Sequence, residues 1–421
     1  MRAGTRPSSD ATASGDTVPG AVHGWLQYPI MALYCCLLYK QVAAGVAMLV
    51  LCSAMCVVSA GGRRMAASIV TTPAASLAIA YTALATVSAF MVSWPGGIER
   101  TVQFALTTLA AITTAGYLHA LGPSAFDRFR IRFAVLNLAI LMHVVAFHLL
   151  TGHVVTWKYL YDTKFVFSSM VVVVFLFEDR IRNRGIAAWF TALSLLALLV
   201  LMSGERKAYV LLLLIFLMSR ASLASKVMTL GVAAALTMTF VSAMPQSYVA
   251  RQLRSEAADS SQLSNRFFFT VESIGQHSDY IRTFVNRNAQ LLFEAHPVLG
   301  TGSTGYMHWA RKKYGSLTGS RGLSMNVHGE RYRVPAENGI VGILTVLAYL
   351  TATAGAAVRF AWRRGGLEAG AHARFPLYML GLLCTYIYGE AMDTTMLLLI
   401  LLTGFIAAVP RPAAVRAGAR T

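Results

Sequence analysis

The chain has 421 residues, of which 56% are hydrophobic and 13% charged, and its formal net charge is +18. Soluble domains carry roughly 25% charged residues, so a chain this poor in charge and this rich in long apolar runs is not an ordinary soluble enzyme; it reads as an all-α polytopic membrane protein. The positive surplus belongs to membrane topology and not to nucleic acid, because multi-span proteins concentrate Lys and Arg on the cytoplasmic side.

In chain order, residues 1–24 are polar, rich in small residues and without an apolar core. They are expected to be a disordered cytoplasmic tail and not a signal peptide. Twelve apolar segments follow, at 25–40, 41–60, 70–93, 102–121, 132–152, 165–178, 186–203, 208–222, 227–245, 338–362, 375–393 and 394–410. Nine would fill 25–245 and three 338–410, with 411–421 as a second cytoplasmic tail. Cys35, Cys36, Cys52, Cys56 and Cys384 all lie in these runs without His or carboxylate neighbours, as small buried hydrophobes do.

Charge tests the layout. With the N-terminus inside, the inner loops are GGRRM, FDRFRIR, EDRIRNRG, SRASLASK and RFAWRRGGLEAGAHAR, and with both tails they hold 19 Lys and Arg. The short outer loops hold six: Lys40, Arg100, Lys158, Lys164, Arg206 and Lys207. That asymmetry satisfies the positive-inside rule, and shifting the count by one helix would destroy it.

Residues 246–337 form a large outer loop with 11 Lys and Arg against seven acids. Loops of that length are uncommon unless functional. Within it, Asp279–Ala295 has helical periodicity, with Ile281, Phe284, Val285, Ala289 and Leu292 on one face. HPVLGTGSTGY then ends the helix with Pro297 and a run of glycines. GTGSTG at 300–305 lacks the Lys and the preceding strand of a phosphate loop, so a turn is expected.

Signals of soluble enzymes are missing: no GxxxxGK[ST], no HExxH and no DxD pair to hold a divalent metal. The candidates are cations and one histidine. Arg206 and Lys207 sit in a very short turn between apolar spans, either snorkelling to the interface with Glu205 as partner or binding phosphate. Arg266, Arg282 and Arg287, in the large loop, are solvated charges when taken singly. His328 precedes a span by about ten residues and stands near several arginines, which favour a neutral imidazole able to accept a proton. Glu337 lies at the mouth of that span, where capping is the plain alternative. His143 and His148 fall inside the fifth apolar segment, where helix-to-helix hydrogen bonding is expected, and Glu390 and Asp393 near the outer end of the eleventh.

At these residues the chain resembles the bacterial O-antigen ligase and polymerase superfamily. SGERKA at 203–208 is similar to that family's Ser/Thr-Gly-Ser-Arg-Gly-Ala, with Arg206 on the family arginine. The loop helix ends in HPVLGTG, and Arg282 precedes Pro297 by the fifteen residues that separate the family's Arg from the Pro of its Asn/His-Pro-x-x-Gly-x-Gly turn. His328, Glu337, Gly339 and Gly342 match a His nine residues before Glu-x-Gly-x-x-Gly at the entry to a span. The departures are Glu205 and Lys207 for Ser and Gly, Gly329 for the usual Asn, and Arg331 and Arg333 near commonly apolar positions.

The resemblance implies a GT-C-like membrane glycosyltransferase of the bacterial inner membrane, inverting and metal-independent, with no cofactor. The donor would be a glycan on undecaprenyl pyrophosphate and the acceptor a sugar hydroxyl of lipid A–core, with membrane lipids as surroundings. His328 would be the general base. Arg206, Arg282 and Lys207 would hold the pyrophosphate, with Glu337, Arg287 and Arg266 in support. The extra cations Arg331 and Arg333, with Arg311, Lys312 and Lys313, are expected to face acceptor phosphates. A polymerase of the same superfamily is the alternative, and a lipid-linked sugar transporter the reading from another class.

Overall fold

The computed structural model describes residues 69–92, 123–151, 163–203, 206–231, 277–314, 329–363 and 371–389, with scattered residues at 28–67, at 102–112, and at 235 and 327. Every element among the described residues is a helix. In chain order they are α1 (Pro73–Val92), α2 (Pro123–Thr151), α3 (Thr163–Leu176), α4 (Glu178–Arg182), α5 (Ile186–Ser203), α6 (Arg206–Leu217), α7 (His277–Ala295), α8 (Gly305–Tyr314), α9 (Glu330–Arg363) and α10 (Ala371–Gly389). The expected segments at 25–40, 41–60, 102–121, 227–245 and 394–410 fall wholly or mostly outside the described residues.

Local chemistry starts these helices where the sequence allows. Thr72 caps α1: its hydroxyl accepts from the Ala75 amide at 3.4 Å and donates to the Ile69 carbonyl at 2.7 Å. Pro73 then occupies the first helical position, where no amide hydrogen is needed. Pro123 opens α2 in the same way, so the expected inner loop FDRFRIR is the first turns of a 29-residue helix. Gly185 takes φ 118° between α4 and α5, a conformation that side chains resist.

α3 is the central rod. It packs against α2, α5, α6 and α10, while α9 lies along α1 and α10 and receives α7 and α8 on its first turns. The core between them is aliphatic and aromatic, with Phe175 edge-on to Trp189 at 5.5 Å and close to Tyr378 at 6.1 Å. Helices within Pro73–Phe90 and Glu330–Arg363 are long and apolar enough to cross a membrane; Phe167–Leu176, Ile186–Ala197, Ala208–Leu217 and Ala373–Thr385 are shorter apolar helices. Many large apolar side chains face outward, among them Phe90, Val135, Met142, Leu195, Leu344, Leu347 and Trp362.

Three stretches expected as inner loops meet in one charged cluster. Glu178 and Arg374 are both fully buried and pair at 2.5 Å. The second Glu178 oxygen accepts from the Arg220 amide at 3.0 Å and from Arg182 at 3.2 Å, while Arg374 also donates to Tyr378 at 2.9 Å and to Asp179 at 3.3 Å. Arg130 donates to the Leu176 carbonyl at 2.7 Å, and the Lys226 ammonium to the carbonyls of Leu217 and Ser219, at 2.7 and 2.9 Å. These cations satisfy carbonyls at the ends of α3 and α6 that have no helical partner. The basic residues of this cluster thus hold the helices together.

Candidate functional site

α7 forms as the sequence periodicity expects. Val285, Ala289 and Leu292 are buried and Phe284 half-buried, and they pack with Tyr306 and Ala310 of α8, with Val327, and with Ala336 of α9. The helix stops at Ala295. The expected turn follows, with positive φ at Gly300, Gly302 and Thr304.

That turn grips α9. Within α9 the backbone breaks at Gly339, which has φ 61° and ψ −158°. In an unbroken helix the Ile340 amide would donate to the Ala336 carbonyl and the Val341 amide to that of Glu337. Instead Ile340 donates to Pro297 at 2.8 Å and Val341 to Val298 at 3.4 Å, while the Thr301 and Gly302 amides, both at 2.9 Å, donate to Ala336 and Glu337. The Thr301 hydroxyl adds a bond to Ala336 at 3.0 Å. Two helical bonds are exchanged for four that tie the turn to the break, so the Ile340 and Val341 amides and the Ala336 and Glu337 carbonyls all keep partners.

Glycine is required on both sides of this contact. A Cβ on Gly300 would stand 2.5 Å from the Asn338 nitrogen and 2.6 Å from the Glu337 carbonyl oxygen; one on Gly339 would stand 2.7 Å from the Leu299 nitrogen. Gly342 is a helical glycine against which Val334 lies 3.2 Å from the Cβ position.

Gly329 starts α9, its carbonyl accepting from the Tyr332 and Arg333 amides at 3.1 and 3.2 Å. Glu330, Arg333 and Glu337 then fall on one face by their i,i+3 and i,i+4 spacing. Arg333 Nε donates to Glu330 at 2.8 Å and Nη1 to Glu337 at 2.8 Å, and Nη2 bonds Glu330 as well. The three are 3–6% exposed. Arg333 also reaches the Tyr81 hydroxyl of α1 at 3.5 Å; Tyr81 donates to Asn338 Oδ1 at 3.2 Å, and Asn338 Nδ2 donates to Ser88 at 3.3 Å. Ser303 of the turn donates to the Ala85 carbonyl at 3.4 Å. A polar seam thus runs between α1 and the head of α9, with the turn beside it. Glu330 Oε1 is buried and has no hydrogen-bond partner.

The expected site residues divide as follows. His328 and Arg266 lie outside the described residues, although the flanking Val327 and Gly329 are buried. Arg206 and Lys207 open α6 and Arg282 lies in α7; their side chains are outside the description. Glu337 is brought into the seam. Arg287 is exposed on α7, and Arg331 is exposed over the Tyr332 ring at 4.7 Å. Arg333 is a correction: expected to face an acceptor phosphate, it is buried and its donors are committed to two carboxylates.

The sequence reading missed Glu330, Tyr81, Asn338 and Ser88. The Glu-x-x-Arg-x-x-x-Glu spacing was a usable signal for the first, but only if 330–337 is taken as helix and not as loop. Nothing local marks Tyr81 and Ser88 as partners of residues some 250 positions away. Among the described residues no group of three or more His, Cys, Asp and Glu could hold a metal. No family model matches the chain, and no curated protein matches it.

Proposed function

We propose that the chain is an inner-membrane glycosyltransferase that transfers O-antigen glycan from undecaprenyl pyrophosphate to a sugar hydroxyl of lipid A–core. The observation that carries the reading is the backbone interlock of 297–302 with 336–341. It joins two of the three stretches on which the resemblance rests, and its glycines are the ones the resemblance names. In this scaffold the turn after α7 fixes the entry to α9, the helix that His328 precedes by two residues in the chain.

In the proposed reaction His328 takes the proton of the acceptor hydroxyl as its oxygen attacks the anomeric carbon. The bond from that carbon to the diphosphate breaks on the opposite face, giving inversion. Arg206, Arg282 and Lys207 neutralise the departing charge, with Arg266 and Arg287 adding to the positive field and Glu337 bracing the head of α9. The twelve-span layout, with both termini cytoplasmic and 246–337 periplasmic, belongs to this proposal. It is supported by the charge asymmetry of the loops and by the outward apolar side chains, which suit lipid.

The test is transfer by the purified chain between the two lipids, read as a mass increase of lipid A–core. Loss of a general base typically costs about 10²–10⁴ in rate, so His328→Ala is expected to fall in that range while staying folded. Turnover near wild type in that variant removes His328 from the mechanism. Glycan growth on undecaprenyl pyrophosphate without lipid A–core replaces the ligase with a polymerase.

A further inference from the structure

α8 and the middle of α7 carry a surface that the proposed chemistry does not use. Trp309 lies 5.8 Å from Tyr314, edge to face, and 6.0 Å from Tyr306; Tyr314 lies 5.6 Å from Phe284. Trp309, Tyr314 and Phe284 are half-buried. Arg311, Lys312 and Lys313 follow one another, all exposed, and the Lys313 ammonium sits 4.6 Å from the Trp309 ring centre and 5.5 Å from that of Tyr314.

In the same part of the chain, buried hydrogen-bonding groups stand unused. Asn288 is 5% exposed; its Oδ1 accepts from Tyr314 at 3.3 Å, but its Nδ2 has no acceptor. Asn286 Oδ1, Thr304 Oγ1 and the Tyr306 hydroxyl are also buried and without partners. Burial raises the pKa of Tyr306, with Tyr314 adding to it, so its hydroxyl stays a neutral donor. Among the described residues, four of the eight such orphaned atoms fall in this short part of the chain. Orphaned buried polar groups call for a cause, such as a bound ligand or water.

The occupant that fits has three properties. It has an apolar face for the aromatic rings, hydroxyls at its edge for amide and phenol groups, and negative charge for three cations. A pyranose ring offers the first two, since its C–H bonds meet the negative face of an aromatic ring while its hydroxyls point sideways. A carboxylate or phosphate on the sugar supplies the third.

We infer that the α7–α8 surface is a binding subsite for an anionic sugar, with Trp309 and Tyr314 as stacking platform, the Asn288 amide as hydrogen-bond donor and Lys312 and Lys313 as charge partners. The identity of the ligand as part of the transferred or receiving glycan rests on the function proposed above; the subsite itself is read by binding alone.

The experiment is calorimetric titration of the full chain in lipid nanodiscs. The probe is the oligosaccharide released by mild acid from the lipopolysaccharide of the strain that encodes the chain. One portion is used intact, one after removal of phosphates and one after reduction of carboxyls. Wild type is expected to bind the intact probe saturably. By the comparable stacking of nucleic-acid bases on aromatic side chains, Trp309→Ala should weaken binding by about fivefold to a hundredfold. Trp309→Phe should keep most of the affinity, and Trp362→Ala, on an exposed residue at the far end of α9, should change nothing. Lys312→Ala with Lys313→Ala should weaken only the charged forms, and whichever treated probe loses the same increment names the anion. Both lysines are exposed, so this variant decides the matter if Trp309→Ala does not fold.

Absence of saturable binding in wild type, or equal binding by wild type and both variant sets, overturns the subsite. His328→Ala is expected to bind the probe normally; binding there without transfer in wild type would defeat the proposed reaction and leave the subsite standing.

Discussion

Ile340 and Pro297 are joined by a 2.8 Å backbone hydrogen bond that an unbroken helix would have given to Ala336. The bond exists because Gly339 turns the chain out of helical geometry and the turn after α7 offers its carbonyl at that point. α9 is therefore two helices of different duty. The first carries the buried ion pairs and follows His328; the second, beyond Gly339, is the long apolar segment. The first helix is oriented by the turn as much as by its own continuation.

That relationship makes Gly339 sensitive. Gly339→Ala meets both a left-handed φ and a clash with the backbone of Leu299. Strained positions of this kind cost about 1–3 kcal/mol before any clash is added. We expect a lowered melting temperature and faster proteolysis at 296–305 in the variant. Unchanged proteolysis there would show that the turn does not depend on the break.

The Arg333 pairings predict a stability effect and not a binding effect. Removing one partner of a buried pair leaves an uncompensated charge and costs about 3–5 kcal/mol, so Arg333→Ala should be strongly destabilised. Glu337→Gln should fall between it and wild type, since Glu330 still pairs the guanidinium. Arg331→Ala, on an exposed residue, should stay within about 0.5 kcal/mol of wild type. The readout is thermal unfolding in detergent. A stable Arg333→Ala with selectively weak lipid A–core binding would restore Arg333 as an acceptor ligand.

The charged cluster at the other end should behave as a unit. Glu178 and Arg374 are both fully buried, so Glu178→Leu or Arg374→Leu alone should be severely destabilised, and the double variant much less so. A double-variant cycle on melting temperature measures the coupling. Additive losses would mean that the two residues act independently.

If the proposed reaction holds, Arg206 and Arg282 stand in for a divalent ion at the diphosphate. Transfer should then survive EDTA. Arg206→Lys and Arg282→Lys should recover little of the activity lost on substitution by Ala, because an ammonium lacks the paired donors of a guanidinium. Inhibition by chelator that magnesium reverses would place a metal at the leaving group.

Composition and periodicity were enough for the helical class, for α7 with its buried Val285, Ala289 and Leu292, and for reading GTGSTG as a turn. Each depends on spacing along a few helical turns, which a sequence displays directly. The head of α9 was only half legible. The spacing of Glu330, Arg333 and Glu337 is written in the chain, but 330–337 precedes the apolar run and passes for loop when hydropathy alone sets the boundary. What the tertiary structure decided is where the hydrogen bonds at Gly339 go, that Arg333 is neutralised and not presented, and that Tyr81 of α1 meets Arg333 and Asn338 while Ser88 of α1 meets Asn338. These depend on which helix comes to lie against which, and α1 is separated from α9 by some 250 residues whose order along the chain carries no distance information.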